Sequence, residues 1–375
     1  MRIAVNTRFL QKNNLEGYGY YIHELMQRIT HAHPEHQFLF LFDRPFDASF
    51  IYNKNITAQI ITPQPRHGLA FRFWYDIKLT WAAKKFKADV LVSLDGFCSL
   101  SSSIPQVLAV HDLAFVHYPK FIHKLHLLFY KTHQKRFLNK AKAIVTVSAF
   151  SKQDIINQYK IDGNKISVVY NATRTIFKPF EYADNDFVKK HYAQGNEFFL
   201  FVGGIHPRKN LLQLLKAFSI FKKRQLSSMK LLVAGRLAWQ YEDIIEKLKT
   251  YKYRDEVVLL DYMPEADLAK VTAAAYALIY PSLFEGFGVP IIEAMQCGVP
   301  VACSNTSSMP EVAGDAALFF NPNDANDIAL QMMVLYKDEK LRSQLIQKGY
   351  VQANKFSWND SAQKLWQIIE QTAKA

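Results

Sequence analysis

Two successive series of short apolar runs constrain the fold of this chain more than any other feature of its 375 residues. Each series has six runs, separated by longer stretches with helical spacing. The first series occupies residues 2–8, 37–42, 88–95, 106–112, 143–148 and 166–171, and the second occupies 198–204, 230–235, 257–263, 277–282, 300–305 and 317–322. Because the runs are continuously apolar rather than alternating, they predict strands buried on both faces of parallel sheets. The sequence therefore predicts an α/β protein with two Rossmann-like domains, which face each other across a cleft and bind ligands at the carboxyl ends of their strands.

A polar stretch after the first series predicts the domain boundary. We expect an N-terminal domain at residues 1–178 and a C-terminal domain at residues 179–355. Residues 356–375 begin with a turn rich in Ser and Asp and continue with helical spacing of apolar residues at Leu365, Ile368 and Ile369. This last segment predicts an amphipathic helix that packs back on the first domain.

The net charge of +13 is concentrated in the first predicted domain. Residues 51–150 hold 14 Lys and Arg against 4 Asp and Glu, whereas residues 201–375 hold 20 against 18. Such a surplus favours an anionic partner, and nucleic acid, an anionic membrane and a phosphorylated substrate all qualify on charge alone. Two stretches, residues 66–87 and 117–142, mix basic side chains with aromatic and aliphatic ones, which is typical of a membrane-surface face. The alternative is that the aromatics pack internally beside solvated lysines.

The chain carries no RNA-recognition, zinc-finger or helix-turn-helix pattern, so we expect no nucleic-acid partner. Its three cysteines, Cys98, Cys297 and Cys303, lack C-x-x-C spacing, which argues against a disulfide framework or a zinc site. The opening MRIAVNTRFL lacks the long apolar core of a signal peptide. These features predict a cytoplasmic protein that is either soluble or peripheral, in the second case at the inner face of the plasma membrane.

The segment from Glu285 to Glu293, EGFGVPIIE, directly follows the apolar run ALIYPS. Gly286 and Gly288 let the backbone approach a ligand closely, and Pro290 suits the first turn of a helix. The N–H groups at such a helix start bind a phosphate or a sugar oxygen, and a carboxylate can accept two hydrogen bonds from a vicinal diol. The segment therefore predicts a sugar or nucleotide site. The plainer alternative is a solvated Glu285 and a Glu293 that complements the helix dipole.

Arg208 and Lys209 follow the run FFLFVGG, which places two cations at the carboxyl edge of the second predicted sheet. There they would neutralise a diphosphate as its charge grows on bond cleavage. His111 and Asp112 end the run QVLAVHD at the corresponding edge of the first sheet. A histidine at a strand end can be a packing residue or a ligand contact, and the pattern alone leaves both open.

The segment from Glu285 to Glu293 resembles the E-x7-E motif of the retaining GT-B glycosyltransferases, in particular glycosyltransferase family 4. Residues 201–210 are similar to the loop that opens the second domain in that family, and residues 145–155 resemble a stretch late in its first domain. Asn171 stands where the family has a V-x-N-G/A turn. The similarity agrees in order and spacing over nearly the whole chain.

The resemblance implies a donor site for a nucleotide-diphosphate sugar. Lys209 matches the phosphate-binding lysine of the family, Glu293 would bind the ribose diol, and Glu285 would hold sugar hydroxyls near the anomeric carbon. Many members have Gly-Arg where this chain has Gly-Gly at 203–204, and Arg208 is the candidate replacement for that cation. The other implied donor-site positions are Gly17, Gly19, Gly203, Gly204, Tyr262, Met263, Gly286, Phe287 and Gly288.

His111 matches a family histidine, also followed by Asp, that contacts the donor sugar near its reacting carbon. With Glu285, Lys209 and Arg208 it makes up the implied catalytic set. No cofactor or metal is expected, because the D-N-D sequence at 184–186 lies in the linker and better fits a helix cap than a D-x-D metal site.

The predicted function is a retaining, metal-independent transfer of a hexose from a nucleotide-diphosphate sugar to a glycan or lipid-linked glycan. The resemblance favours mannose slightly and implies a place in cell-surface polysaccharide synthesis. The first alternative is a sugar-nucleotide epimerase or hydrolase on the same fold, which would consume donor without an acceptor. A nucleic-acid-binding protein is the more remote alternative.

Overall fold

The computed structural model describes residues 1–12, 15–65, 68–237 and 241–374. The chain divides into two compact units, which we call unit 1 (Met1–Asn171 with Ser357–Ala375) and unit 2 (Ala172–Phe356). Each unit contains one sheet in which every strand pair is parallel. The predicted fold class, two Rossmann-like α/β domains, is therefore confirmed.

Unit 1 holds a seven-stranded sheet. Its strands are β1 (Arg2–Asn6), β2 (Gln37–Phe42), β3 (Ile56–Ile60), β4 (Val90–Ser93), β5 (Gln106–Ala109), β6 (Ala143–Thr146) and β7 (Ile166–Val168). Their spatial order is β3-β2-β1-β4-β5-β6-β7. The chain order reverses between β1 and β4, and open α/β sheets bind ligands at such a switch point. The helices are α1 (Gly17–Ala32), α2 (Gly68–Phe73), α3 (Thr80–Lys85), α4 (Ala114–His117), α5 (Lys124–Lys140) and α6 (Ala149–Tyr159), with a π-helical segment, Trp74–Leu79, between α2 and α3.

Unit 2 holds a six-stranded sheet with its switch point between β8 and β11. Its strands are β8 (Phe198–Val202), β9 (Lys230–Ala234), β10 (Val257–Leu259), β11 (Ala277–Tyr280), β12 (Val301–Ser304) and β13 (Ala317–Phe320), in the order β10-β9-β8-β11-β12-β13. The helices are α7 (Tyr182–Ala193), α8 (Leu211–Gln225), α9 (Glu242–Lys249), α10 (Glu265–Ala274), α11 (Val289–Gln296), α12 (Met309–Ala313), α13 (Ala325–Lys337) and α14 (Glu339–Ala353).

Each apolar run of the sequence contains one strand, but the sequence analysis missed β3. This strand, ITAQI, lies beside β2 at the edge of the sheet, and its first residue alone is buried. An edge strand needs no continuous apolar run, because one of its sides faces solvent. The first series therefore corresponds to six of the seven strands in unit 1.

The segment after residue 171 belongs to unit 2, whereas the first domain was expected to extend to residue 178. The physical reason is Arg174, whose guanidinium forms ion pairs with Glu265 and Glu293 of unit 2, and Phe177, which is buried there. The last helix, α15 (Trp358–Lys374), packs against α1 and belongs to unit 1. Its buried face consists of Trp358, Ser361, Ala362, Leu365, Trp366, Ile368, Ile369 and Thr372.

Candidate functional site

In unit 2 the loops after β8 and β11 lie next to each other, because these strands are paired. The loop after β8 leads into a 3-10 turn at Pro207–Lys209, and the loop after β11 leads into α11. The Leu283 N–H donates to the Arg208 carbonyl at 2.9 Å and ties the two loops together. The structure thus brings together the two loops that the sequence predicts as the donor site.

One carboxylate and two cations form the centre of this site, which we call the Lys209 cluster (Arg208, Lys209, Tyr280 and Glu285). Lys209 Nζ donates to Glu285 Oε1 at 2.7 Å and to the Tyr280 hydroxyl at 3.0 Å. Arg208 Nη1 lies 3.2 Å from Glu285 Oε2 and also donates to the Phe284 carbonyl. The charged side chains are between 10% and 19% exposed, so solvent screens their interactions only partly.

The Lys209 cluster carries more positive than negative charge. Burial on its own raises the pKa of Glu285, but the charges of Lys209 and Arg208 and the Lys209 hydrogen bond lower it to about 2. Burial lowers the pKa of Lys209, yet Glu285 and Tyr280 more than offset this and leave the pKa raised. Burial raises the pKa of Tyr280 to about 12, so that its hydroxyl stays neutral. Two cations beside one anion suit a ligand with a further negative charge, such as a diphosphate.

Two of the predicted glycines are needed for backbone and packing reasons. Gly203 has a φ of +148°, and a Cβ there would lie 3.3 Å from Cε of Lys209. Gly204 follows it, half-buried, in the same turn. Gly288 precedes α11 with a φ of +106°, and a Cβ there would lie 3.1 Å from Cδ1 of Ile291. Glycine at 203 therefore lets the Lys209 side chain reach its carboxylate.

Two serines that the sequence analysis missed fix the loop that begins at Glu285. The Glu285 N–H donates to the Ser307 hydroxyl at 3.0 Å. The Ser308 hydroxyl is directed at the carbonyls of Glu285 and Phe287, at 2.9 and 2.8 Å. Phe287 and Gly286 are buried in this loop. The serines follow β12, so only the parallel pairing of β11 and β12 reveals their contact with the loop.

Glu293 lies in α11 and is only 3% exposed. Its Oε1 accepts a hydrogen bond from Arg174 Nε at 2.7 Å, and Arg174 Nη1 lies 3.3 Å from Glu265 Oε1. Arg174 is 119 residues away along the chain, so the sequence pattern around Glu293 does not reveal this partner. A diol bound to Glu293 would have to share the carboxylate with Arg174, and the ribose role of Glu293 stays a prediction.

The remaining predicted positions of unit 2 lie on other elements. Tyr262 and Met263 follow β10, and β9 separates this strand from β8. Tyr262 is half exposed, and contact of Tyr262 or Met263 with the donor stays a prediction. The D-N-D sequence lies inside α7, whose N-cap is Glu181, so the expected helix cap is wrong; Asp184 lies in the first turn and Asp186 is 2.7 Å from Lys190. These are the contacts of a solvated helix start.

In unit 1, His111 lies just beyond β5. Its Nε2–H donates to the Leu94 carbonyl at 2.9 Å, and Tyr18 and Tyr21 meet its ring edge-on at 4.5 and 4.9 Å between centroids. Burial lowers the pKa of His111 to about 4, although the Leu94 carbonyl and Asp112 oppose the shift. The ring is therefore neutral at pH 7, with the proton on Nε2. Nδ1 has a lone pair that can accept a hydrogen bond from a sugar hydroxyl.

The two glycines at the start of α1 differ in whether the surrounding structure has room for a side chain. Gly17 is exposed, and a Cβ there would meet none of the described residues within 4 Å. Gly19 is buried, and a Cβ there would lie 2.7 Å from the Phe9 carbonyl oxygen. Gly19 is thus required by packing within unit 1, and contact of either glycine with the donor stays a prediction.

A buried polar network that was not predicted from the sequence lies at the switch point of unit 1. Asp95 Oδ2 accepts hydrogen bonds from Asn6 Nδ2 at 2.9 Å and from the Tyr75 hydroxyl at 2.5 Å, and Arg8 Nε lies 3.4 Å away. Burial raises the pKa of Asp95 against the opposing charge of Arg8. The sequence contains one signal that could have revealed this network, which is a polar residue at the end of each of two apolar runs.

Comparison with known proteins agrees with this architecture. The family model described as Glycosyltransferase Family 4 matches residues 16–175, and the one described as Glycosyl transferases group 1 matches residues 183–352. The chain is 30% identical over 365 residues to O-antigen chain mannosyltransferase B of Escherichia coli, and this match covers 93% of this chain and 94% of that protein. It is 32% identical over 232 residues to O-antigen chain mannosyltransferase RfbU of Salmonella typhimurium, and this match covers 60% of this chain and 61% of that protein. Among solved structures, Anabaena HepE in complex with UDP-glucose matches with a TM-score of 0.77 at 17% identity, over 99% of this chain and 100% of that one.

Two parallel-sheet units, each with its own switch point, give the chain the GT-B fold that is seen in solved glycosyltransferase structures. The chain belongs to glycosyltransferase family 4, in the group 1 type, because the two family models together span most of it and a relative of matching length is 30% identical. The resemblance seen in the sequence is therefore confirmed.

Proposed function

We propose that this chain is a retaining, metal-independent transferase that moves a hexose from a nucleotide-diphosphate sugar to a glycan or lipid-linked glycan acceptor in cell-surface polysaccharide synthesis. The observation that carries the proposal is the Lys209 cluster, in which two largely buried cations share one carboxylate beside the start of α11. Mannose as the sugar, and a polysaccharide product, are supported by the O-antigen chain mannosyltransferase that matches nearly the whole chain. A nucleotide-sugar donor is supported by HepE, a protein of the same fold in complex with UDP-glucose.

In the proposed reaction, the bond between the anomeric carbon and the diphosphate oxygen breaks while the acceptor oxygen bonds to the same face of that carbon. The acceptor proton passes to the leaving diphosphate, so that atoms and charge balance. Arg208 and Lys209 offset the negative charge that grows on the diphosphate, as a divalent cation does in other phosphate sites. The amides at the start of α11 add a favourable dipole, and Glu285 holds sugar hydroxyls.

Nucleotide binding tests the donor site. The protein should bind GDP or UDP in EDTA, with a rise in Tm, because a ligand selective for the native state stabilises it. Lys209→Met keeps the aliphatic stem but removes the cation, and should weaken binding by at least about tenfold, since charge-assisted hydrogen bonds contribute roughly 1.5–3 kcal/mol. Lys216→Ala, an exposed lysine on α8, is the matched control and should leave the affinity unchanged. If no nucleoside diphosphate binds to the parent protein, the donor-site assignment is wrong.

Acceptor dependence separates the transferase from the epimerase or hydrolase alternative. A transferase consumes GDP-mannose or a UDP-hexose rapidly only when a glycan acceptor is present, and the anomeric configuration of the product measured by NMR reports retention. Equal donor consumption with and without acceptor would favour the alternative.

We further propose that unit 1 meets its acceptor at an anionic membrane, at the inner face of the plasma membrane. Ile77 and Trp81, in the segment from α2 to α3, are 54% and 55% exposed, and Leu125 and Leu128 of α5 are 69% and 61% exposed. Lys85 Nζ lies 5.1 Å from the Trp81 ring centroid, which places a cation beside an exposed aromatic. Exposed apolar side chains among cations are typical of a face that enters the headgroup region. Among the residues that the structure describes, none of the helices is both long enough and apolar enough to span a membrane.

The aromatic residues of the two basic stretches divide between the core and the surface. Trp74 and Tyr75 are fully buried, so the alternative of internal packing holds for them. Phe71 of α2 meets Phe129 of α5 edge-on at 5.0 Å between centroids, which places the two helical segments beside each other. Residues 66 and 67 of the first stretch lie outside the described residues. The proposed membrane face is therefore the exposed remainder of two neighbouring segments.

A further inference from the structure

Three potential metal ligands lie close together between the end of α1 and the start of β2. Glu35 Oε1 lies 3.6 Å from His33 Nδ1 and 3.2 Å from His36 Nε2, and one ligand atom from each of the three residues lies within 4.8 Å of the other two. Neither the donor site nor the proposed membrane face uses these residues. Because β2 begins at residue 37, the cluster lies at the amino ends of the strands, whereas His111 lies at their carboxyl ends.

The indole of Trp366, on α15, orients both imidazoles. His33 stacks on it at 3.8 Å between centroids with an interplanar angle of 16°, and His36 stacks on it at 5.0 Å and 23°. The two imidazoles are themselves within 21° of parallel. The Met1 amine lies 2.9 Å from Nδ1 of His36, so that Nε2 is the nitrogen turned toward Glu35.

Two imidazoles and one carboxylate form a donor set that suits zinc and neighbouring divalent transition metals, with water completing a tetrahedron. Metal–ligand bonds of about 2.0–2.1 Å place tetrahedral ligand atoms roughly 3.3 Å apart. The two distances from Glu35 Oε1, 3.2 and 3.6 Å, are already close to this value. Only the distance between the ligand nitrogens of His33 and His36 has to shorten on metal binding.

We propose that His33, Glu35 and His36 bind a divalent transition-metal ion such as zinc, and that this ion fastens the end of α1 to α15 through the Trp366 stack. The ion has a structural role in unit 1 and takes no part in glycosyl transfer. Metal that binds the folded site but not the unfolded chain raises the stability of the protein.

Metal titration with fluorescence tests this proposal on the full chain, prepared without an affinity tag and stripped of metal. One equivalent of zinc should bind by calorimetry and raise Tm, and Co²⁺ should give the visible absorption of a tetrahedral site. Co²⁺ should also quench the fluorescence of Trp366 because the metal would lie beside the stacked rings. Trp366→Phe should lose that part of the quenching while it keeps the bound metal.

Glu35→Gln and His36→Gln should each weaken zinc binding by at least about tenfold. The Glu35 side chain is 60% exposed, so Glu35→Gln should fold normally. His126→Gln, on the exposed side of α5, is the matched control and should leave the affinity unchanged. Equal affinity in the parent and both site variants, or weak binding without a fixed stoichiometry that marks an adventitious ion only, would overturn the proposal. Neither readout depends on nucleotide binding, so failure here leaves the donor site untouched.

Discussion

Glu285 and the proposed diphosphate compete for the same two cations, Lys209 and Arg208. The carboxylate is held at 2.7 and 3.2 Å, and its pKa of about 2 means that it stays charged throughout the physiological range. A donor must therefore displace Glu285 from part of this ion pairing. The displaced carboxylate then becomes available to sugar hydroxyls. Glu285 therefore has two roles: it competes with the diphosphate for the cations, and it orients the sugar.

Glu285→Gln should separate these two roles. The uncharged amide competes less for Lys209 and Arg208, so the affinity for GDP or UDP should be equal or tighter. Transfer should slow by roughly 100-fold, because the sugar would be held less accurately. Calorimetry and initial rates measure the two effects, with Glu246→Gln, an exposed residue of α9, as the matched control. Unchanged turnover in Glu285→Gln would remove this residue from the sugar site.

His111 should make the stability of the protein depend on pH below neutrality. Its pKa is about 4 in the folded chain and near 6.5 when unfolded, so the unfolded state binds more protons between these values. The free energy of unfolding therefore falls as the pH drops from about 6.5 toward 4, and His206, whose pKa burial also lowers to about 4, adds to the effect. His111→Gln should reduce this loss by on the order of 2 kcal/mol, measured by urea unfolding at both pH values. The same pH dependence in His111→Gln and in the control His126→Gln would contradict the assignment.

At the scale of elements, the sequence predicts most strands because burial is recorded locally. Continuous apolar runs mark the strands that are covered on both faces, and β3 escaped because it lies at an edge. The loops after β8 and β11 could be paired from the strand pattern, and the structure joins Lys209 to Glu285. Arg174 and Ser308 could not be found in this way, since their contacts with the site depend on strand order and on partners far along the chain.

The turn that opens α1 offers a test of what its glycines do. Gly19→Ala would force a Cβ to 2.7 Å from the Phe9 carbonyl and should destabilise the protein by about 1–3 kcal/mol. Gly17→Ala places its Cβ more than 4 Å from every residue that the structure describes around it, and should change stability by less than about 0.5 kcal/mol. Urea unfolding of both variants measures the difference. Equal stability would show that the turn can shift, and would leave nucleotide contact as the remaining reason for glycine at 19.

At the scale of the whole molecule, the charge surplus divides the chemistry between the units. The region from residue 51 to 150 carries most of the +13 and belongs to unit 1, whereas residues 201–375 are nearly neutral. In unit 2 the cations that matter are few and largely buried, as in the Lys209 cluster. In unit 1 many basic side chains are exposed beside apolar side chains. This arrangement suits binding to a broad anionic surface better than binding to one small ligand.

Vesicle binding tests this division of charge. The protein should bind phosphatidylcholine vesicles that contain phosphatidylglycerol and not those of phosphatidylcholine alone, because cations are attracted to anionic lipid. Salt should weaken the binding, since the Debye length falls to about 3 Å near 1 M ionic strength.

The joint change of Trp81, Leu125 and Leu128 to Ser keeps every charge but removes exposed apolar surface, and should weaken vesicle binding by at least about tenfold. The joint change of Leu330 and Val351 to Ser, exposed residues of unit 2, is the matched control and should have no effect. Equal binding to neutral and anionic vesicles, or none to either, would mean that the basic residues of unit 1 are an ordinary solvated face. If salt weakens the binding but the triple variant does not, the protein is attracted electrostatically to the vesicle and inserts no side chains. Only insertion depends on the apolar surface.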